Sequence, residues 1–325
     1  MSTEQFNQEI VIVAAKRTPM GGFQGSLSGV TSPSLAATAI KALLADTQVA
    51  GDKVDEVLMG CVLPAGLGQA PARQATLGAG LPLSVGATTV NKVCGSGMKT
   101  VMLAHDLLKA GSAKLVVAGG MESMSQAPYL LDKARAGMRM GHGKVLDHMF
   151  LDGLEDAYTG GAMGTFAQKT ADEYGLTREQ MDEWSYESHR RAINAIDEGR
   201  FEEEIVPFEV THRDGTTTMF QVDEHPRRET TLEKLAGLKP IHPEIEGFSI
   251  TAGNSSGLND AAAAIMICDS EFAKAHGLVP LAVIKSWANA ALAPRDTGLG
   301  PVYAIPKALE RAGLSVEDMD LVEIN

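Results

Sequence analysis

The chain has 325 residues, of which 44% are hydrophobic, and a formal charge of -13. This length allows a large core in two domains or one large α/β unit. The negative charge argues against a nucleic-acid partner, which needs a basic face, and no apolar run reaches the length of a membrane helix. Three cysteines without even pairing, behind a polar start that does not resemble a signal peptide, predict a reducing, cytoplasmic location.

Residues 1–122 alternate strands and helices. The predicted elements, in chain order, are the strand "EIVIVAAKRTP", the helix "SPSLAATAIKALLADT", the strand "DEVLMGCVL", the turn "NKVCGSG", the helix "MKTVMLAHDLLKAG" and the strand "AKLVVAGGMES". Each strand is a continuous apolar run, which predicts an α/β fold with a largely buried sheet.

Residues 123–247 lack the regular strand–helix alternation of residues 1–122 and are interpreted as an inserted loop domain. This stretch contains two predicted helices, near "GTFAQKTADEYG" and "TREQMDEWSYESHRRAINAIDEG", and a hairpin within "EIVPFEVTHRDGTTTMFQVDE". A regular strand–helix pattern is predicted again over residues 248–277, where "TAGNSSGLND" is predicted to be a loop between a strand and a helix. We therefore assign 1–122 and 248–277 to one N-terminal half.

Residues 278–325 repeat the opening order of the chain. The strand "PLAVIKSWANA", the helix "GPVYAIPKALERAGL" and the strand "EDMDLVEIN" follow one another as the first three elements do. The first copy continues into a cysteine turn, a helix and a strand, and the second stops at Asn325. We therefore expect 278–325 to be the start of a second, incomplete half.

The turn "NKVCGSG" carries the most distinctive chemistry. A thiol at a helix N-terminus faces the positive end of the helix dipole, which stabilises a nucleophilic thiolate. Gly95 and Gly97 would admit a substrate, and the Cys94 amide could stabilise an oxyanion. The local sequence is equally compatible with a buried structural cysteine.

Two further segments are candidate parts of a site. The Gly/Asn/Ser-rich loop "TAGNSSGLND" suits polar ligand groups, although an ordinary helix cap has the same composition. Asn325, predicted at the tip of a buried strand, could hold a water or a carbonyl.

Other kinds of site have no support in the sequence. Cys61 and Cys268 lie in apolar runs and are predicted to be core residues. The chain has no CxxC pair, no metal-ligand spacing among its eight histidines, no GxGxxG and no Walker loop. We predict neither a metal nor a cofactor.

Taken together, these segments strongly resemble the thiolase family, in particular its short-chain acetyl-CoA acetyltransferases. The resemblance spans the whole chain and is carried by "KRTPMGGFQGSLS", "GQAPARQATLGAGLP", "NKVCGSGMKTVMLA", "AGGMESMSQAPYLL", "TAGNSSGLNDAAAA" and "KALERAGLSVEDMDLVEIN". It implies duplicated βαβαβ halves in five layers (α-β-α-β-α) with an inserted loop domain.

The resemblance also implies roles for single residues. Cys94 would be the acyl-accepting nucleophile, and Asn325 resembles the Asn of the family's "NEAF" motif, which holds an oxyanion-hole water. The implied substrate contacts are Ala252 and Ser256 to the pantetheine arm, Arg227 to the nucleotide end of CoA, and Met163 in the wall of the acyl pocket.

The sequence departs from the family pattern in two places. Many short-chain members have His where this chain has Ala162, so the acyl pocket is expected to differ in shape here. The family's "GHP" histidine and second active-site cysteine lie beyond the "NEAF" segment and are not in these 325 residues. We therefore expect this chain, taken as it stands, not to complete a catalytic cycle.

The resemblance implies reversible condensation of two acetyl-CoA to acetoacetyl-CoA and CoA, in a homodimer or homotetramer. The "NKVCGSG" form favours short acyl chains over a broader-chain 3-ketoacyl-CoA thiolase. The Gly-Ser-Gly after Cys94 and the segment at Asn325 favour a thiolase over a β-ketoacyl synthase. A non-catalytic acyl-CoA binder stays open as a third alternative.

Overall fold

The computed structural model describes residues 8–212 and 214–325. The chain forms two compact units, each assembled from three stretches. The first unit comprises the described residues up to Gly153 together with Asn194–Pro226 and Gly257–Val283. The second comprises Leu154–Ile193, Arg227–Ser256 and Ile284–Asn325.

The regular elements are numbered in chain order. The strands are β1 (Ile10–Arg17), β2 (Gly21–Gly22), β3 (Glu56–Gly60), β4 (Gly86–Val90), β5 (Leu115–Ser123), β6 (Tyr129–Leu130), β7 (Leu146–Asp147), β8 (Phe208–Thr211), β9 (Thr217–Phe220), β10 (Asn259–Asp269) and β11 (Ala282–Val283). The α-helices are α1 (Ser32–Thr47), α2 (Pro71–Gly78), α3 (Ser96–Lys109), α4 (Met163–Tyr174), α5 (Arg178–Asp197), α6 (Leu232–Ala236), α7 (Ser270–Ala275) and α8 (Gly300–Ala312). Short 3-10 segments occupy Gly51–Lys53, Met124–Gln126, Ala134–Ala136, Pro294–Leu299 and Val316–Asp318, and a π-helical turn occupies Phe150–Leu154.

Helix α1 shows how local sequence determines an element. Pro33 lies in its first turn, where a missing N–H is tolerated. Leu35, Ala39 and Leu43 are spaced by four residues and are all buried, so one face of the helix packs onto the core. The helix ends at Thr47, because the next residue adopts a left-handed backbone. The predicted helix is confirmed, as are the predicted strands at β1, β3 and β5.

The first unit is built on one seven-stranded sheet. Its strand order is β11–β1–β10–β5–β3–β4, with β2 beside β10. Strand β3 runs parallel to β4 and β5, whereas β10 runs antiparallel to β1 and β5. Three consecutive residues of β3, Val57, Leu58 and Met59, are all buried. Because successive side chains of a strand point to opposite faces, the sheet is covered on both sides, as predicted.

Strand β10 corrects the prediction of a helix after the Gly/Asn/Ser-rich loop. Asn259–Asp269 is fully extended and lies between β1 and β5. Its run of alanines has high helix propensity, but packing inside a sheet overrides this preference. Ala262 and Ala264 belong to the same buried cluster as Ala36 and Ala39 of α1. Small side chains on both elements let the helix pack closely against the strand.

The predicted strands after Gly277 are also corrected. "PLAVIKSWANA" contributes only the two residues of β11, and "EDMDLVEIN" forms a 3-10 turn followed by irregular chain. No strand of the described chain pairs with residues 320–325, and an extended segment needs such a partner for its backbone hydrogen bonds. Asn325 is therefore exposed on irregular chain and not at the tip of a buried strand. The helix predicted between these segments is confirmed as α8.

Between residues 123 and 247 the predicted local elements are present. Helices α4 and α5 and the β8–β9 hairpin occupy the predicted segments. The hairpin belongs to the first unit, whereas α4 belongs to the second. No helix within the described ranges is long and apolar enough to cross a membrane.

Candidate active site

Cys94 lies in the turn that joins β4 to α3. Gly95 caps the helix and Ser96 is its first residue, so the thiol sits two positions before the first helical residue. The Cys94 side chain is exposed, whereas Cys61 and Cys268 are buried. The predicted turn and the predicted core positions of the other two cysteines are confirmed. The alternative of a buried structural role for Cys94 is wrong.

The backbone of this turn has an unusual shape. Val93 has a φ of 47°, in the left-handed region that a β-branched residue rarely enters. Its amide donates to Asn91 Oδ1 at 2.9 Å, and its carbonyl accepts from Ser96 Oγ at 2.5 Å. Ser96 Oγ also accepts the Lys92 amide at 2.8 Å. Side-chain hydrogen bonds on both sides of Val93 therefore fix the turn that presents Cys94.

Glycines allow the first turn of α3 to pack directly on the ends of β3 and β5. A Cβ added to Gly60 would lie 2.7 Å from the Gly97 nitrogen and 2.7 Å from the Ser96 carbonyl carbon. The Thr100 hydroxyl donates to the Gly119 carbonyl at 2.9 Å and so ties the helix to β5. Gly97 contributes to this helix–sheet contact, and its predicted role in admitting substrate remains a prediction.

A carboxylate beside this turn is a residue that the sequence analysis did not single out. Glu122 Oε2 accepts the Val62 amide at 2.8 Å, and Oε1 accepts the Leu63 amide at 3.0 Å. Burial raises the pKa of Glu122 above its usual value, although these two amides and the nearby Cys61 and His148 act in the opposite direction. The carboxylate thus fixes the chain where it leaves β3, next to the cysteine turn.

A histidine belongs to the same region of the first unit. His148 is 4% exposed, its Nδ1 lies 2.6 Å from Asp152 Oδ2, and its Nε2 accepts the Ala65 amide at 3.4 Å. The ring therefore links the Asp152 carboxylate to the chain at Ala65. Among residues 8–212 and 214–325, no group of three His, Cys, Asp or Glu side chains is arranged to hold a metal ion.

The other five predicted site residues lie in the second unit. The loop with Ala252 and Ser256 is fixed by Asn254, whose Oδ1 accepts the Thr251 amide at 2.7 Å and whose Nδ2 donates to Asp182 at 3.0 Å. This network leaves Ala252 and Ser256 exposed on the loop surface.

The remaining three lie on separate segments of that unit. Met163 is the half-buried first residue of α4. Arg227 is exposed, and its backbone amide donates to His189 Nδ1 at 3.3 Å. Asn325 is exposed on irregular chain. The substrate contacts assigned to the residues of the second unit remain predictions.

Comparisons with known proteins show which family this chain is similar to. The thiolase N-terminal domain model matches residues 10–271, and the thiolase C-terminal domain model matches residues 278–325. An acetyl-CoA acetyltransferase of Pseudomonas aeruginosa is 50% identical over 98% of this chain and 80% of its own length. That of Escherichia coli is 50% identical over 97% of this chain and 79% of its own length.

A solved structure agrees with these relatives. The Bacillus anthracis acetyl-CoA acetyltransferase superimposes with a TM-score of 0.93 at 40% identity, covering 97% of this chain and 79% of the other. The predicted α/β fold of the thiolase type is thereby confirmed. Since the two domain models together match nearly every residue from 10 onward, and relatives of this identity align over almost the whole chain, the chain belongs to the thiolase family.

Proposed function

We propose that the reaction in which this chain takes part is the reversible condensation of two acetyl-CoA into acetoacetyl-CoA and CoA, through an acyl group held on Cys94. One observation carries the proposal. The exposed thiol of Cys94 precedes the N-terminus of α3, in a chain half identical to acetyl-CoA acetyltransferases. A thiol in this position is open to a substrate.

The chemistry is two acyl transfers. The Cys94 thiolate attacks the carbonyl carbon of one acetyl-CoA, the bond from that carbon to the CoA sulfur breaks, and CoA leaves and takes a proton. A second acetyl-CoA then loses a methyl proton to a base, which replaces the proton taken by the departing CoA, and its carbon attacks the acetyl-Cys94 carbonyl. The Cys94 thiolate is released, so two acetyl-CoA yield one acetoacetyl-CoA and one CoA.

The residues of the second unit supply the substrate contacts in this proposal. Arg227 would bind the nucleotide phosphate of CoA, because an exposed guanidinium pairs well with phosphate. Ala252 and Ser256 would contact the pantetheine arm, Met163 the acyl group, and Asn325 an oxyanion-hole water. CoA thioesters are the substrates, and no further cofactor enters the scheme.

A related candidate is a thiolase that accepts longer 3-ketoacyl chains. Ala162 directly precedes Met163 at the start of α4, and its small side chain leaves more room beside the acyl group than the histidine of many short-chain members. Comparing thiolysis of acetoacetyl-CoA with that of a longer 3-ketoacyl-CoA tests this point. We further propose a homodimer or homotetramer in the cytoplasm, where the three free thiols would stay reduced.

The acyl-enzyme is the decisive test. The protein is incubated with radiolabelled acetyl-CoA, denatured and digested, and the label is expected on the peptide that contains Cys94. Cys94→Ser serves as the control and should retain no label. Binding of acetyl-CoA without any label on Cys94 would support the non-catalytic alternative, and label on Cys61 or Cys268 would contradict the assigned nucleophile.

A further inference from the structure

The backbone of Val93 raises a question about the residues around it. A valine with positive φ is strained by its branched Cβ, and such a conformation persists only where neighbouring contacts hold it. Released from those contacts, Val93 would relax to negative φ. The direction in which the following residue, Cys94, presents its thiol would change with it.

Asn91 is placed to prevent this relaxation. Its Oδ1 accepts the Val93 amide at 2.9 Å, and its Nδ2 donates to the Val62 carbonyl at 3.4 Å. The amide of the same Val62 donates to Glu122 Oε2 at 2.8 Å. A continuous chain of hydrogen bonds therefore runs from the end of β5, through the residues that follow β3, to the strained residue of the cysteine turn.

We propose that Asn91 is a positioning residue, which holds Val93 in its left-handed conformation and thereby aims the Cys94 thiol at the acyl carbon. The role of Cys94 in this statement rests on the proposed function. Asn91 touches the turn and not the reacting atoms. Its loss should reduce the fraction of molecules in the competent conformation, and the acylation rate should fall by that fraction.

The first measurement is single-turnover acetylation of Cys94 over a range of acetyl-CoA concentrations. Asn91→Ala should lower the maximal rate by roughly tenfold, because the strained conformation of Val93 loses a contact that supports it. The half-saturating concentration should stay within about twofold, because Asn91 is not a substrate contact. Asn91→Asp keeps the acceptor for the Val93 amide and should retain more of the rate than Asn91→Ala.

The second measurement uses Val93→Gly. Glycine adopts positive φ without steric strain, so Val93→Gly should restore acetylation in the Asn91→Ala background to within about threefold of Val93→Gly alone. A residue with a general structural role would show no such rescue. The pair Asn91→Asp and Asn91→Asp/Val93→Gly provides the same test if Asn91→Ala folds poorly.

Gln74→Ala is the matched control. Gln74 Nε2 also fixes a loop of the first unit through two backbone carbonyls, those of Leu67 and Gln69, but does not touch the cysteine turn. Its loss should leave acetylation unchanged. An Asn91→Ala variant with the wild-type rate, an equal loss in Gln74→Ala, or no rescue by Val93→Gly would each overturn the proposal.

Alkylation of Cys94 by iodoacetamide, followed by peptide mass spectrometry, keeps this test separate from the proposed function. Alkylation needs no thioester, and the same order of rates is expected among the variants. If wild-type Cys94 is never acetylated, the proposed function fails, while the alkylation rates still decide whether Asn91 positions the thiol.

Discussion

The thiol of Cys61 donates to the carboxylate of Glu122 across 3.7 Å, in the interior of the first unit. Burial, followed by the charge of Glu122, raises the pKa of Cys61 to about 12. Burial likewise raises the pKa of Cys268 to about 12. Both are therefore buried, neutral thiols near neutral pH, whereas Cys94 is exposed.

This contrast predicts the order of thiol labelling. Because the thiolate is the reactive form, iodoacetamide near pH 8 should modify Cys94 first, and Cys61 and Cys268 slower by at least about a hundredfold. Peptide mass spectrometry over a time course measures the three rates. Denaturation should make all three react alike, which is the internal control. Faster labelling of Cys61 or Cys268 in the folded protein would contradict the assignment of Cys94.

The second prediction concerns Cys94→Ser. A serine hydroxyl is far harder to ionise than a thiol, so acetylation should fall by at least about three orders of magnitude. The side chain is exposed and the volume change is small, so the free energy of unfolding should change by less than about 0.5 kcal/mol. Thermal unfolding and label incorporation on the same preparation separate these effects. A large loss of stability would show that Cys94 also has a structural role.

Two carboxylates should give opposite pH dependences of stability. Burial raises the pKa of Glu122, so the folded state favours its protonated form and stability is lost as pH rises above 4.5 through the folded pKa. Burial also tends to raise the pKa of Glu224. Hydrogen bonds from Gly22 and Ser26 outweigh this effect, so the pKa of Glu224 is lowered. The contribution of Glu224 to stability is present above pH 4.5 and is lost as pH falls through the pKa of Glu224 in the folded state.

Melting temperatures of Glu122→Gln and Glu224→Gln test this pair. The advantage of the wild type over Glu122→Gln should shrink as pH rises above about 4.5. Its advantage over Glu224→Gln should shrink below about pH 4.5. Each variant is the control for the other, since both replace a carboxylate by an amide. Parallel curves for the two variants would contradict the opposite signs.

The parts of the fold that were predicted correctly are those determined by local sequence. Helix α1 has a proline in its first turn and apolar residues at helical spacing, and β1, β3 and β5 are continuous apolar runs. Strand β10 was missed because its alanines favour a helix until the sheet surrounds them. Strand β4, "GATTV", was missed because it is half-buried and contains no continuous apolar run.

In the candidate site, too, the features that were predicted correctly are those determined by local sequence. Cys94 was identified because a cysteine between a β-branched residue and Gly-Ser-Gly is a local pattern. Glu122 was not, since "GGMES" resembles an ordinary strand exit and its partners, Val62 and Leu63, lie 59 or more residues away. The left-handed backbone of Val93 has no signal in a valine, because side chains of other residues impose it.

The substrate contact assigned to Arg227 predicts a change in affinity rather than in chemistry. Arg227→Glu should raise the half-saturating concentration of acetyl-CoA by about tenfold or more and change the maximal acetylation rate by less than about threefold, because a remote phosphate contact is uniform binding. The defect should shrink at high salt, which screens an exposed charge pair. Arg295→Glu, a charge reversal at another exposed arginine in the same unit, is the control. Equal defects in the two variants would indicate an effect of net charge alone.

The last prediction concerns the packing of α3 against the sheet. Gly60→Ala places a Cβ 2.7 Å from the backbone of both Ser96 and Gly97, closer than non-bonded atoms approach, so the first turn of the helix must move. Overpacking of this kind destabilises by about 1–3 kcal/mol, and Cys94, two residues before that turn, should be acetylated more slowly. Gly29→Ala is the matched control, because a Cβ there meets nothing within 4 Å. Denaturant unfolding and acetylation rates are measured for both variants. If Gly60→Ala were as stable and as reactive as Gly29→Ala, the close contact between β3 and α3 would not be what places the cysteine.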